Sequence, residues 1–258
     1  MATRPTEPLL VIVGPTASGK TNLAIGLAKQ FDGEIICADS RTIYKGMDIA
    51  TAKPSAQDRQ KIPHHLLDVV YPDQPFTVAD YKRLTEKSIA DIRARNKLPI
   101  IVGGSGLYIN ALLYNYSFTQ SGAQRSERNP RHLEGTTQVD DVLRADALII
   151  GIQVSVEELN RRIAQRVDDM FSQGLLDEAL FISQKYGWDI EAMKTYLPLR
   201  ALLEGKQSLE QTKSLMVIKD RQVAKKQRTW FRRNNSIHWL SDPSKYVDLV
   251  TTLLNNKF

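Results

Sequence analysis

The chain has a single cysteine, Cys37, among 258 residues, so no disulfide can staple it internally. Long apolar runs are also missing. A run such as Leu9–Val13 suits a buried strand and falls far short of the roughly 18 residues of a membrane span. The segment Met1–Pro8 is polar, carries Arg4 and Glu7, and is not followed by a secretory apolar region. A cytoplasmic protein with no membrane partner is therefore expected. Internal repeats and low-complexity tracts are absent, and aromatic residues make up only 7%. With 42% hydrophobic and 25% charged residues, the composition is that of a globular protein and excludes a fibre or a disordered chain. Acidic residues are slightly short: 29 against 35 Lys and Arg, a net charge of +6. The excess is concentrated. Between Lys219 and Arg233 stand Lys219, Arg221, Lys225, Lys226, Arg228, Arg232 and Arg233 against Asp220 alone. That pattern suits a polyanion such as a nucleic acid.

Apolar runs at Leu9–Val13, Glu34–Ala38, Leu98–Val102 and Ala147–Val154 read as buried strands. Helical patterns alternate with them over Thr21–Phe31 and Val78–Asn96, the latter with Thr77 as N-cap. From Ser155 onward the chain reads as helical: Val156–Gln173, Leu175–Tyr186 and Ser208–Phe231, with Gly174 and Gly187 as stops. The expected fold is α/β, a P-loop NTPase-like parallel sheet with helices on both faces and a helical C-terminal part. The expected organisation is a core over residues 1–118, a polar loop or excursion over 119–146, and a last core strand with helices over 147–258. No obligate interface is evident, and a monomer is expected.

Gly14-Pro15-Thr16-Ala17-Ser18-Gly19-Lys20-Thr21 matches the P-loop pattern and has the required context, after a strand and opening a helix. Backbone N–H groups of such a loop, with the helix N-terminus, wrap a phosphate group. Lys20 then reaches the outer phosphate and the Thr21 hydroxyl holds Mg²⁺. The loop implies a di- or triphosphate ligand without implying ATP. The second strand ends in Asp39, followed by Ser40-Arg41-Thr42-Ile43-Tyr44 and Asp48–Pro54. A carboxylate there can serve a metal, accept a proton from a substrate amine, or shape a turn. Gly103-Gly104-Ser105-Gly106 puts Ser105 at the carboxyl end of a third strand, where a turn or cap role is equally open. The pair His64-His65 has no third metal ligand at a suitable spacing and reads as structural or substrate-lining.

Taken in order, Gly14–Thr21, Asp39–Tyr44, Asp48–Pro54, Pro63–Asp68, Gly103–Tyr108, Arg162–Gln165–Arg166 with Gly174-Leu175, and Ala224–Arg232 (AKKQRTWFR) resemble the tRNA dimethylallyltransferases, also called tRNA isopentenyltransferases. The resemblance implies transfer of a dimethylallyl group from dimethylallyl diphosphate to N6 of the adenine just 3′ of the anticodon. It implies that Gly14, Thr16, Ala17, Ser18, Gly19, Lys20, Thr21 and Arg162 hold the diphosphate, with Mg²⁺ on Thr21. It further implies Asp39 as general base, Ser105 in place of a usual positioning threonine, and Arg166 on the diphosphate. Asp39, Ser40, Arg41, Thr42, Lys225, Lys226, Arg228 and Arg232 would face the tRNA anticodon stem-loop.

Two departures matter. Only about 30 residues separate Tyr116 from Ala147, where that family carries a sizeable helical insertion, and Arg128–Leu133 would be its remnant. Thr195-Tyr196 stands before Leu203-Glu204-Gly205 in place of a glycine-tyrosine pair. Three alternatives follow: an adenylate isopentenyltransferase acting on free AMP, ADP or ATP; a small-molecule P-loop kinase with Arg125, Arg128 and Arg131 as a lid; or a nucleic-acid-binding protein without catalysis.

Overall fold

A computed structural model describes residues 7–118, 124–125, 133–134, 136–138 and 142–257. Its elements run in the order β1 (Leu9–Val13), α1 (Lys20–Gln30), β2 (Gly33–Ala38), α2 (Ala56–Lys61), β3 (His64–His65), α3 (Val78–Ala94), β4 (Leu98–Gly103) and α4 (Gly106–Leu113). Short strands β5 (Ser117–Phe118), β6 (Gln124–Arg125), β7 (Leu133–Glu134) and β8 (Thr136–Gln138) follow. The chain closes with β9 (Ala147–Ile152), α5 (Val156–Ser172), α6 (Leu175–Tyr186), a 3₁₀ turn over Glu191–Thr195, α7 (Leu197–Leu203), α8 (Leu209–Phe231), β10 (Ile237–Leu240) and α9 (Tyr246–Lys257).

The main sheet has six parallel strands in the order β10-β9-β1-β4-β2-β3. β1 and β4 are neighbours, yet β1 continues to β2 on one side and β4 to β9 on the other. Ligands of open parallel sheets enter at such a reversal, beyond the strands' carboxyl ends. Alternation along β1 explains the two covered faces. Leu9, Val11 and Val13 pack with Tyr81, Ile89, Tyr108 and Ile109 of α3 and α4. Leu10 and Ile12 pack on the opposite face with Ala24, Leu27 and Tyr246 of α1 and α9. A separate helical core joins Ile43, Tyr44 and Met47 to Met170, Leu175, Ala179 and Tyr196.

Local signals explain the element ends. Thr77 forms a capping box with Asp80 at the start of α3. Ser208 does the same with Gln211 for α8, so that serine caps the helix and is not its first residue. Gly174 (φ 96°) ends α5 and begins α6, and Gly187 (φ 74°) ends α6, as its left-handed backbone requires. Some expectations need correction. The last core strand stops at Ile152, two residues before Val154, because Ser155 turns the chain as the α5 cap. The region after Ser155 is not wholly helical: Ile237–Leu240 adds parallel strand β10 beside β9. That run is too short to announce itself by periodicity. His64-His65 forms the two-residue edge strand β3, with His65 Nε2 2.7 Å from Glu34 Oε2, which fits the structural reading. Much of the 119–146 excursion, including Arg128 and Arg131 and most of the Arg128–Leu133 remnant, lies outside the described residues. The polar start Met1–Thr6 does too.

Candidate active site

The P-loop leaves β1 and opens α1. Its bend is set by left-handed backbone at Ala17 (φ 61°) and Gly19 (φ 92°), the second where a glycine removes the strain. Lys20 folds back so that Nζ donates to Pro15 O at 2.7 Å. Enclosure by the loop pushes the Lys20 ammonium down to about 8, Asp39 pulls it up, and Arg166 lowers it further.

Two arginines of α5 close over the loop. Arg166 donates to Thr16 Oγ1 at 2.6 Å and to Asp220 Oδ2 of α8 at 2.5 Å. Arg162 donates to Glu158 Oε1 at 2.7 Å and reaches Ser18 O at 3.4 Å. Their four-residue spacing puts both on one helix face. Two buried polar atoms here, Ser18 Oγ and Arg166 Nε, find no partner among the described residues. Buried donors without partners are costly, which marks this loop as an unsatisfied polar site.

The neighbouring corner is built from the ends of β2 and β4. Ser105 N donates to Ala38 O at 3.1 Å, and Ser105 Oγ accepts from Ser40 N at 3.0 Å. Ser105 occupies the N-cap position of α4 without capping it, so its hydroxyl is committed to the β2 turn. Asp39 Oδ1 accepts from Arg41 N at 2.8 Å, a turn that fixes the carboxylate's direction. Thr42 is buried and its hydroxyl reaches Asp39 O at 3.4 Å, so it shapes this turn from beneath. Arg41 lies at the surface against Glu191, donating to its backbone O at 3.2 Å.

Helix α8 forms the third wall. Its inward stripe runs Met216, Asp220, Ala224, Gln227 and Phe231, one residue every three or four. The polar members, Asp220 and Gln227, are the ones that touch the site. Gln227 Oε1 accepts from Thr16 N at 2.7 Å, and Gln227 Nε2 donates to Gly104 O at 3.1 Å. Sequence reading passed over both, although a polar residue in an apolar stripe was the available signal. On the outward side Lys219, Arg221, Lys225, Lys226, Arg232 and Arg233 are exposed and Arg228 is half-buried. Among the described residues no carboxylate pairs with any of them within 4 Å.

Glu178 of α6 was likewise missed. Its carboxylate accepts from the backbone N–H groups of Asp48, Ile49 and Ala50 and from Tyr196 Oη, at 2.7–2.9 Å. It pins the loop after β2 and gives Tyr196 a structural task, while the Thr195 hydroxyl finds no partner among the described residues. A cavity of about 480 Å³, lined by Glu86, Arg93, Arg144 and Asp146, lies at the opposite, amino-terminal end of the strands, and both of its arginines are already paired with carboxylates. Among the described residues there is no group of three or more His, Cys, Asp or Glu side chains able to hold a metal, and no helix is long and apolar enough to cross a membrane.

A parallel sheet with a P-loop-patterned turn after its central strand, two arginines over that turn, and Ser105 and Asp39 at the ends of the next two strands defines an α/β protein of the P-loop type. More narrowly, the chain belongs to the IPP transferase family, whose model matches residues 42–143 and 118–234. It is 36% identical to tRNA dimethylallyltransferase 1 of Pelobacter propionicus, over 94% of this chain and 95% of that protein. It is 38% identical to the tRNA dimethylallyltransferase of Alkaliphilus oremlandii, over 96% of each. The crystal structure of the tRNA isopentenylpyrophosphate transferase of Staphylococcus epidermidis superposes with a TM-score of 0.81 at 33% identity, covering 97% of this chain and 99% of that one. A eukaryotic dimethylallyltransferase acting on tRNA shares the fold (TM-score 0.80, 23% identity).

Proposed function

We propose that this chain transfers a dimethylallyl group from dimethylallyl diphosphate to N6 of adenosine 37, next to a tRNA anticodon. One observation carries the reading: Val13 of β1 pairs with Gly103 of β4, which pairs in turn with Ala38 of β2, so the P-loop opens beside the Asp39–Ser105 corner. The names of the relatives agree with it.

The chemistry follows from the groups present. The N6 lone pair is delocalised into the purine, so the amine is a weak nucleophile. Asp39 accepts the N6 proton as the N6–C1 bond forms. The C1–O bond breaks, and its electron pair departs with the diphosphate. Lys20, Arg166, Arg162 and the loop N–H groups other than that of Thr16 would face the charge that grows on the leaving oxygens. The Thr21 hydroxyl would hold Mg²⁺ together with the diphosphate, and the ion would supply countercharge there. Ser105 holds the Ser40 turn and with it the direction of Asp39. The target adenine must leave the anticodon-loop stack to reach the corner. The exposed basic side of α8 and the Ser40–Arg41 turn would take the tRNA backbone. One chain supplies every group, so a monomer suffices.

The test is transfer from labelled dimethylallyl diphosphate with Mg²⁺, offering in parallel an unmodified tRNA carrying A36-A37 and free AMP. Label in tRNA alone is expected. Label in AMP alone would make the protein an adenylate isopentenyltransferase, and ATP consumption without label would make it a kinase.

A further inference from the structure

The side-chain amide of Gln227 joins two segments that come from different strands. Its oxygen takes the N–H of Thr16 in the P-loop and its nitrogen donates to the carbonyl of Gly104, the residue before Ser105. Only one orientation of the amide satisfies both, because one neighbour is a donor and the other an acceptor. The fit is close. A Cβ at Gly104 would stand 2.2 Å from Gln227 Nε2, and one at Gly106 would stand 2.3 Å from Trp230 Cδ1. The end of α8 is therefore pressed onto the 104–106 turn, with Phe231 buried beside it.

We propose that Gln227 is a positioning residue for the transfer reaction, an amide strut that sets the separation between the diphosphate cradle and the Ser105–Asp39 corner. The proposal rests on the reaction proposed above. The Thr16 N–H is taken up by Gln227, so the side chain acts through the loop and not by adding a phosphate contact. Thr16 is fixed a second time through its hydroxyl by Arg166. Neither aspect can be replaced by charge: a glutamate would keep the acceptor, lose the donor, and bring a carboxylate to an anion site.

Because misplacement of reacting groups by about 1 Å costs on the order of 100-fold in rate, Gln227→Leu should lower kcat about 10–100-fold. KM for tRNA and the affinity for dimethylallyl diphosphate should stay within about threefold, and Gln227→Glu should also be slow. Gly104→Ala should be slow as well, since its methyl displaces the amide. Removing the side chain frees that space, so Gln227→Ala/Gly104→Ala should be no slower than Gln227→Ala alone. Thermal melting checks that each variant folds, and should Gln227→Leu fail, the Gly104→Ala pair carries the test. A raised KM for tRNA at unchanged kcat would make Gln227 a tRNA contact and overturn the proposal. Additive penalties in the double variant would overturn it too, as would unchanged kcat in the single variants. Absence of transfer in the wild type would sink the transferase reading itself, and this role with it.

Discussion

Asp39→Asn is the most incisive substitution. The amide oxygen can still accept from the Arg41 N–H, now at 2.8 Å to Oδ1, so the turn and its link to Ser105 should persist. What disappears is the capacity to take a proton from N6. Positioned acid–base groups contribute about 10²–10⁴-fold, or roughly 3–5 kcal/mol of barrier, and kcat should fall by that factor. Donor binding should survive. Asp39 supports the charge on Lys20, whose pKa is already about 8, so its removal lowers that value further. The assay therefore belongs at pH 7 or below, where Lys20 keeps its proton. Single-turnover transfer to tRNA gives the chemical step, and calorimetry with dimethylallyl diphosphate gives the donor affinity. A kcat within about threefold of wild type would remove Asp39 from proton transfer. Loss of donor binding in proportion to rate would make it an electrostatic prop for the loop.

Lys20 predicts a pH effect of definite sign. Its ammonium is the form that binds an anion, and burial lowers its pKa to about 8, so affinity for dimethylallyl diphosphate should fall as pH rises from 7 through 9, with proton uptake on binding. A flat calorimetric profile would refute this, and Lys20→Arg should abolish the step. The unpaired cations of α8 predict steeply salt-dependent tRNA binding: Lys225→Gln with Lys226→Gln should reduce the slope of log affinity against log salt by about 1–2, read by filter binding across salt. An unchanged slope would place the tRNA elsewhere. Glu178→Leu leaves three backbone N–H groups and the Tyr196 hydroxyl without their acceptor. A loss of about 3 kcal/mol is expected, a fall in Tm of roughly 6–12 °C. A change under about 2 °C would show that water replaces the carboxylate.

Much of this protein could be read from its residues, and what could not has a common cause. β1 over Leu9–Val13 and α6 over Leu175–Tyr186 match the expected bounds, because apolar runs and flanking glycines are local signals. The P-loop is legible for the same reason: its spacing encodes its conformation. What escaped was long-range. The bond between Ser40 N and Ser105 Oγ spans 65 positions and that between Thr16 and Gln227 spans 211. No periodicity in either segment announces its partner. Gln227 also stood within a run that drew notice for its charges, where a neutral amide is inconspicuous. β10 and β3 were missed because two to four residues carry too little pattern, and they form only by adding to an edge that already exists.

The two sides of α8 explain why that helix is spelled as it is. Charges face outward at Lys219, Arg221, Lys225, Lys226, Arg232 and Arg233, while Asp220 and Gln227 turn inward between Met216, Ala224 and Phe231. A helix serving only as a tRNA rail would keep an apolar inner stripe. One serving only as a core element would not leave so many cations unpaired. Asp220 holds Arg166 and Gln227 holds Thr16, so the inner polar positions are spent on the loop after β1 and the arginine over it. The sheet brings the two places together on neighbouring strands, but its ladder ends at Val13, Gly103 and Ala38, before the loops that carry the site. A helix bonded to both loops through Gln227 supplies a constraint beyond the ladder, and the same helix carries the exposed cations on its other side.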